Sequence, residues 1–331
     1  MITRREVFGL GALGAAALAA PSLWAGKDEA ANGDPPVVPC EFTEAVFSKM
    51  KLRKATIKIG LPKPVRIVQA SDSHLTFVSA EDFEKLDAQT LEWYDSRSKI
   101  FRDGVPGLAA ALLYAKKKNL TFFHTGDMFD FPSRANFAIV KRDFEGRDWF
   151  FAPGNHEYHG WGPGTPAIVH GNSEADRTAA RRAYEAIFPN KFPVASRVIG
   201  GVNFVEYDNG GCSDYTGCWQ LAEIKREFAK GLPVVLLCHM PFYTDHLCAA
   251  LLKDHGLTKE KLNDGYLQGV PWANSWGGRK ELLAYLKTQP LLKAILCGHL
   301  HFGYVGPFSA TAEQHVADAN YKGAVYEYTF E

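Results

Sequence analysis

The stretch Leu120-Thr121-Phe122-Phe123-His124-Thr125-Gly126-Asp127-Met128-Phe129-Asp130 joins a short apolar run to a polar motif. Such a run predicts a buried strand, and open α/β sheets bind ligands in the loops just beyond their strand ends. Polar motifs follow apolar runs at four other places: Asp72-Ser73-His74, Gly154-Asn155-His156-Glu157, His239 and Gly298-His299-Leu300-His301. We therefore expect carboxylates, imidazoles and one amide to meet at a single sheet edge.

The rest of the chain alternates between strand and helix patterns. Strands are predicted at 55–59, 65–71, 120–124, 148–152, 202–207, 233–238, 293–297 and 323–330. Helices are predicted at 81–98, 105–118, 174–187, 219–230 and 279–287. This alternation indicates an α/β architecture. Segments 159–164, 242–246 and 271–278 are predicted to be surface loops near the site. Their aromatic groups are candidates either for substrate contact or for ordinary packing.

Composition and charge exclude some partners. Hydrophobic residues make up 46% of the 331 residues, which is typical of a globular chain. The chain has 37 Lys and Arg residues against 37 Asp and Glu residues, so it has no overall basic field. Nothing in this balance predicts binding to nucleic acid or to an anionic membrane surface.

The N-terminus has the pattern of an export signal. Residues 1–25 contain Arg4-Arg5 followed by an apolar stretch rich in Gly and Ala, and they resemble a twin-arginine signal peptide. The apolar stretch 9–20 is shorter than the ~20 residues that span a bilayer. We therefore expect no stable membrane insertion after cleavage, although an uncleaved leader acting as an anchor is an alternative. Export by the twin-arginine machinery would place the protein in the periplasm or another extracytoplasmic compartment.

Two further divisions of the chain are predicted. Residues 26–52 are polar and contain prolines, which is typical of a linker or N-terminal extension. Residues 53–331 show no internal repeat and no second change of composition. They are therefore predicted to form one domain.

The side chains in the five motifs are typical of a site that holds two metal ions. Hydrolysis of an anionic phosphate ester needs positive charge near the phosphate and a nucleophile that exists at neutral pH. Two divalent ions ~3.5–4 Å apart supply both, and a bridging carboxylate holds them at that separation. Mixed nitrogen and oxygen ligands suit Mn, Fe or Zn better than Mg or Ca. The predicted cofactor is a pair of divalent ions of one of these metals.

The ordered motif set, from Asp72-x-His74 to Gly298-His299-x-His301, resembles the calcineurin-like metallophosphoesterases. The resemblance covers about residues 65–303. It implies two packed mixed β-sheets flanked by helices, a four-layer αββα sandwich. It also implies hydrolysis of phosphate mono- or diesters by attack of a hydroxide that bridges two metal ions.

Carried over residue by residue, the resemblance implies two ligand sets bridged by Asp127. The first set is Asp72, His74 and His301, and the second is Asn155, His239 and His299. His156 would face the substrate, where it would stabilise the transferring phosphoryl group or protonate the leaving oxygen. Asp130 would be the carboxylate partner of His156. Glu157 would either support the ligands or be structural.

Departures from the family pattern indicate which branches of the superfamily the chain does not resemble. Serine/threonine protein phosphatases of this superfamily carry arginines where this chain has Phe131 and Pro153. Purple acid phosphatases carry a metal-binding tyrosine where this chain has Asp130, so we expect no purple colour. The expected substrate is therefore a small phosphorylated molecule. Nucleotides, sugar phosphates, phospholipid head groups and cell-wall phosphodiesters remain as candidates.

The same residues allow other interpretations. Taken singly, Asp72 could cap a helix, and Asp130 could belong to a turn. A non-catalytic, metal-stabilised protein that binds phosphorylated ligands is the alternative to the enzyme, but decayed enzymes tend to lose residues such as Asp127 and His156. A metal-free hydrolase would need Cys238 to act with His239, and strand alternation should point these two apart. A zinc peptidase signature would need one more residue between His156 and His159.

Overall fold

The computed structural model describes residues 48, 50–158, 174–210, 219–272 and 277–331. The predicted signal segment 1–25, most of the predicted linker 26–52 and the predicted loop 159–164 lie outside the described residues. Among the residues that are described, no helix is both long and apolar enough to cross a membrane.

Two mixed β-sheets pack face to face. The first sheet has five strands, in the spatial order β1 (Lys51–Ile57), β11 (Ala324–Phe330), β2 (Val65–Ala70), β3 (Thr121–His124) and β4 (Trp149–Phe151). The second has six, in the order β5 (Val194–Ile199), β6 (Val202–Tyr207), β7 (Val234–Leu237), β8 (Leu292–Cys297), β10 (Glu313–Val316) and β9 (Tyr304–Pro307). Most neighbouring strands are parallel; β11–β2, β5–β6 and β10–β9 are antiparallel.

Helices lie on the outer faces of both sheets. The described α-helices are α1 (Ala80–Phe83), α2 (Ala88–Ile100), α3 (Gly104–Lys118), α4 (Arg134–Asp143), α5 (Glu174–Glu185), α6 (Trp219–Phe228), α7 (Asp245–His255) and α8 (Gly277–Lys287). Short 3₁₀ turns occupy His156–Tyr158, Lys259–Lys261 and Asn320–Lys322. Apolar side chains of α3, α4 and α5 pack against the first sheet, and those of α6, α7 and α8 pack against the second. The predicted αββα sandwich is confirmed.

A third apolar cluster joins the inner faces of the two sheets. It contains Ile67 and Phe123 from the first sheet and Phe204 and Leu296 from the second, all completely buried. The rings of Phe123 and Phe204 lie 5.0 Å apart, centroid to centroid. Because both sheets bury their inner faces on each other, their relative position is fixed, and so is the position of the loops that leave them.

The polar motifs leave both sheets from the carboxyl ends of parallel strands. The loops after β2, β3 and β4 carry the first three motifs, and the loops after β7 and β8 carry the other two. Parallel strands end at the same edge of a sheet, so each sheet presents its motifs on one side. The expected meeting of motifs at one edge therefore follows from the strand directions.

The structure differs from the predicted elements in several places. The predicted helix 81–98 is divided into α1 and α2, because the Asp87 side chain accepts a hydrogen bond from Thr90 N at 2.7 Å and begins a new helix. The predicted loop 242–246 leads directly into α7, whose first turn is capped by the Thr244 hydroxyl. Strand β1 begins at Lys51, two residues before the predicted domain boundary. Strands β5, β9 and β10 and helices α4 and α7 have no counterpart among the predicted elements.

The inter-sheet packing leads to a stability prediction. Replacing Phe204 by alanine should lower the free energy of unfolding by about 3–5 kcal/mol, because neighbouring rings held by two sheets cannot close the cavity. Urea unfolding measures this change. Val198→Ala is the control, since that β5 side chain is 50% exposed and a surface substitution should change the value by at most about 0.5 kcal/mol. Equal stability losses in the two variants would contradict the packing described here.

Candidate metal centre

Backbone hydrogen bonds fasten the motif loops to one another. Asp72 N donates to Gly126 O at 2.9 Å, and His74 N donates to Asp127 O at 2.9 Å, which joins the first two motifs. Gly298 N donates to His239 O at 3.0 Å, which joins the last two. Because the loops share main-chain hydrogen bonds, the side chains that they carry are held in fixed relative positions.

The backbone at the site is in an uncommon conformation. Among the described non-glycine residues, six have a positive φ: Asp72, His74, Asn119, Asp127, His299 and His301. Asn119 ends helix α3, and the other five are predicted metal ligands. Left-handed backbone is unfavourable for residues with a Cβ and concentrates where function requires it. The sharp turns it produces direct these side chains into the space between the loops.

The first predicted ligand set lies together. The Asp72 Oδ1 atom is 3.3 Å from His301 Nε2 and 3.9 Å from His74 Nε2. The two imidazoles face each other, with 3.1 Å between His74 Nε2 and His301 Nε2. Asp72 is completely buried, and its carboxylate also accepts a hydrogen bond from His299 N.

The second set lies beside the first. The Asp127 Oδ2 atom is 3.1 Å from His239 Nε2, and His239 Nε2 is 3.3 Å from His299 Nδ1. The same Asp127 oxygen is 3.8 Å from His74 Nε2 of the first set. Asp127 therefore lies between the two groups, where a bridging carboxylate is required.

The facing imidazoles fit bound cations. His239 Nδ1 lies 2.8 Å from Thr125 O, and His299 Nε2 lies 2.7 Å from Gly265 O, so these nitrogens carry the ring protons. When both rings are neutral, the opposite nitrogens carry lone pairs that point at each other across 3.3 Å. This contact is favourable only with a positive charge between the two nitrogens, either a proton on His239 or a metal ion. A neutral imidazole with one nitrogen held by a carbonyl is the usual form of a histidine ligand.

Asn155 gives an independent indication. Its Oδ1 atom is buried and has no hydrogen-bond partner among the described residues. Buried amide oxygens usually have a partner. The amide oxygens of Gln69, Asn203 and Gln268 are also orphaned among the described residues, so the signal at Asn155 counts because Asn155 lies in a ligand motif. Asn155 belongs to the second predicted ligand set. The residues present therefore fit two divalent ions with mixed nitrogen and oxygen ligands.

The charges of the site shift one another's pKa values. Burial raises the pKa of Asp127, but the positive charges of His239 and His156 hold it well below its usual range. Burial lowers the pKa of His239, but the carboxylates of Asp127 and Asp72 outweigh it and raise that pKa to about 10. The site thus favours positive charge beside its carboxylates, and bound cations would supply the same charge.

His156 lies next to the two ligand sets. Its Nδ1 lies 2.7 Å from the backbone oxygen of Asp130 and 3.4 Å from the Asp130 carboxylate. The predicted carboxylate therefore lies close to His156, but the hydrogen bond is made by the main chain of the same residue. The side chain of Asp130 is instead oriented by Arg97 and His74.

Glu157 connects the second and third motifs. Its buried carboxylate accepts hydrogen bonds from Asp127 N at 2.9 Å, Phe129 N at 3.1 Å and Gly154 N at 2.6 Å. Burial and the charge of Asp127 raise the pKa of Glu157 to about 8. Glu157 has no contact that indicates substrate binding. Its hydrogen bonds indicate a structural role, which is one of the two alternatives that the sequence leaves open.

Two glycines of the motifs allow this close approach. A Cβ at Gly126, where φ is +92°, would lie 2.5 Å from His239 Nδ1. A Cβ at Gly154 would overlap the side chain of Asp127. Neither position has room for another residue type while the ligands keep their places.

Four residues that contact the predicted site residues could not be identified from the sequence. Arg97 binds Asp130, Phe101 stacks on the ring of His74, the Tyr321 hydroxyl lies 3.4 Å from His301 Nδ1, and Gly265 O accepts from His299. None follows a motif strand, and the sequence gives no spacing that connects them to a ligand. Only the periodicity of the predicted helix 81–98 could have suggested that Arg97 and residue 101 share a helix face.

Groups outside the motifs have structural contacts. Tyr243 and Trp272 pack against each other at 5.6 Å, and Trp272 Nε1 donates to Leu262 O, so their own packing explains their positions. Trp161 and Trp276 lie outside the described residues. His124 is buried, with its Nε2 2.9 Å from Ser73 Oγ. Burial raises the pKa of the Cys238 thiol, which does not suit a nucleophile.

Comparison with known proteins identifies the family. The model of the calcineurin-like phosphoesterase family matches residues 65–303. The chain belongs to this family, which is a family of metal-dependent phosphoesterases, and its enzyme class is that of phosphoester hydrolases. No curated protein matches the chain significantly in sequence.

Several solved structures are similar in fold. A dimetal phosphatase from Danio rerio is 12% identical, with a TM-score of 0.40, and 78% of this chain and 88% of that chain are covered. The purple acid phosphatase PPD1 from yellow lupin is 12% identical, with a TM-score of 0.42 and coverage of 79% and 44%. The phosphopantetheinyl hydrolase of Mycobacterium tuberculosis is 12% identical, with a TM-score of 0.41 and coverage of 81% and 91%. At these scores the likenesses carry no argument about substrate.

The positions of Asp127 and His156 lead to contrasting metal contents. Asp127→Asn should weaken the binding of both ions, because one carboxylate lies between the two ligand sets. His156 lies with His74 and Asp127 in a third grouping that could hold an ion. His156→Ala should nevertheless keep the metal content of the unmodified protein, because its Nδ1 is held by Asp130 O and both predicted ligand sets are complete without it. Mass spectrometry of the purified variants measures the ions per chain. Thr244→Ala, which alters only the cap of α7, is the control; loss of metal from His156→Ala but not from Asp127→Asn would reverse the assignment.

Proposed function

We propose that this protein is an exported phosphohydrolase with two divalent metal ions that cleaves phosphate mono- or diesters. Family membership supports the general reaction. The observation that carries the two-ion proposal is the pair of facing imidazole contacts, His74 with His301 and His239 with His299, on either side of Asp127. The orphaned amide oxygen of Asn155 supports the same proposal.

Different residues of the chain would have different roles in the proposed reaction. Divalent ions held by the two sets would supply positive charge for the phosphate and lower the pKa of bound water. His156, beside the two ligand sets, is the residue proposed to act on the substrate. Its Nδ1 is held by Asp130 O, so Nε2 is the nitrogen that would act on the phosphoryl group or the leaving oxygen in the proposed reaction. Burial of Asp72 and Asp127 excludes water from the ligand carboxylates.

The proposed substrate is a small phosphorylated molecule. Phe131 occupies one position where protein phosphatases of this superfamily carry arginine, and its side chain is completely buried, so it cannot bind a phosphate. Pro153 occupies the other and offers no cation. The net charge of the chain is +0, which gives no support to a nucleic-acid substrate.

The proposed location is the periplasm or another extracytoplasmic compartment. Support comes from Arg4-Arg5 and the short apolar stretch that follows. The twin-arginine machinery would be the export partner, and a cleaved leader would leave no membrane anchor. Manganese, iron and zinc are the proposed metals, on the basis of the mixed nitrogen and oxygen ligands.

Metal content and hydrolysis together test the proposal. The purified protein should contain about two ions per chain, as expected for a two-metal site, and should hydrolyse mono- or bis-p-nitrophenyl phosphate with Mn, Zn or Fe. Removal of metal with a chelator should abolish turnover, and the same ion should restore it. Two ions without turnover on either ester would favour the non-catalytic binding protein. A protein that binds none of these ions would contradict the proposal.

The role of His156 leads to a separate kinetic prediction. His156→Ala should lower kcat by a factor on the order of 10² to 10⁴, the usual contribution of a proton-transfer group. Metal-saturated steady-state assays measure it. His255→Ala, which removes a histidine at the end of α7 with no assigned role, should leave kcat unchanged. Equal kcat values for the two variants would remove His156 from the reaction.

A further inference from the structure

The side chain of Arg97 reaches the metal centre from outside the motif loops. Arg97 lies on α2, a helix whose only side chain classed as buried is Thr90. Its Nε donates to Asp130 Oδ2 at 2.8 Å, and its Nη2 donates to Asp130 Oδ1. The side chain of Asp130 is completely buried, whereas that of Arg97 is 19% exposed. The guanidinium therefore forms a two-point pair with a buried carboxylate.

A two-point pair fixes the plane of a carboxylate as well as its charge. The Asp130 Oδ1 atom that Arg97 holds lies 3.3 Å from Nδ1 of His74. This contact places the ring proton of His74 on Nδ1 and leaves Nε2, the atom that faces His301, to act as a ligand. The orientation of His74 thus depends on Asp130, and the orientation of Asp130 depends on Arg97.

A second contact connects Arg97 to the same ligand. The guanidinium carbon of Arg97 lies 4.6 Å from the centre of the Phe101 ring. The Phe101 ring stacks on the His74 imidazole, with centroids 4.2 Å apart and planes 11° from parallel. The end of α2 therefore contacts His74 in two ways, through the carboxylate at the ring edge and through Phe101 at the ring face.

The second ligand set has no such dependence. His239 and His299 are oriented by the backbone oxygens of Thr125 and Gly265. Main-chain oxygens in these loops do not require Arg97. Removing the arginine should thus affect the first ligand set and leave the second intact.

We propose that Arg97 is a positioning residue for one of the two metal sites, the one formed by Asp72, His74 and His301. It acts through Asp130 and does not itself bind the ion. This inference rests on the proposed function, in that the centre must bind two ions. It adds that α2, which lies between the first and second motifs in the sequence, maintains only one of the two proposed ion sites.

Two physical effects of Arg97 have opposite signs, which makes the proposal testable. Arg97 is a cation, so if only its charge mattered, removing it would strengthen the binding of a metal ion. If positioning dominates, removing it weakens binding, and outer contacts of metal ligands typically contribute 10–100-fold to affinity. Arg97→Lys keeps the charge but cannot form the two-point pair, so positioning also predicts a weakened site in that variant.

The experiment is a calorimetric titration of the metal-free protein with Mn²⁺ alone. The unmodified protein should show two binding events. Arg97→Ala and Arg97→Lys should each weaken one event by about 10–100-fold and leave the other unchanged. Arg102→Ala is the matched control, because that neighbouring arginine is 75% exposed and contacts only Asp103 among the ion pairs described. Free guanidinium added at millimolar concentration should partly restore the weakened event in Arg97→Ala.

The outcomes separate this inference from the proposed function. Absence of two events in the unmodified protein would remove the proposed function itself. Two normal events in both Arg97 variants, equal weakening of both events, or tighter binding in Arg97→Ala would each overturn the role of Arg97. The melting temperature of each metal-free variant shows whether it is folded. If Arg97→Ala does not fold, the titration of Arg97→Lys decides the question.

Discussion

The centre of this protein depends on one electrostatic constraint, the burial of two carboxylates among imidazoles whose ring nitrogens face one another. Asp72 and Asp127 are almost completely buried, so water screens their charge little, and the imidazole pairs at 3.1 and 3.3 Å each need a proton or a metal ion between their facing nitrogens. Bound divalent ions would satisfy both groups at once. The positive φ values, the loop-to-loop hydrogen bonds and the two motif glycines all maintain this arrangement.

The two predicted ligand sets are supported in different ways. Main-chain oxygens hold the histidines of the second set, and those oxygens belong to loops fixed by the sheets. Side chains from α2 and from the turn at Asn320–Lys322 hold the histidines of the first set, through Asp130, Phe101 and Tyr321. A site held by side chains can change with sequence while the sheets stay the same.

Much of the fold and site could be predicted because the motifs directly follow buried strands. The apolar runs before Asp72, Asp127 and His239 form strands with the expected direction, so their ligands meet. Short strands such as β9, with two exposed positions and a proline, have no pattern strong enough to predict. The Arg97–Asp130 pair joins residues 33 positions apart on a helix and a loop, and no local pattern encodes such a contact. Asp130 contacts His74 through its carboxylate and His156 through its backbone oxygen, and only the three-dimensional structure shows this.

Anomalous diffraction from crystals grown with Mn²⁺ tests the central claim most directly. The account predicts two anomalous peaks ~3.5–4 Å apart, the separation of ions that share a bridging carboxylate. One should lie against Asp72, His74 and His301, the other against Asn155, His239 and His299, with Asp127 touching both. A single peak, or two peaks that do not share Asp127, would contradict the two-ion centre described here.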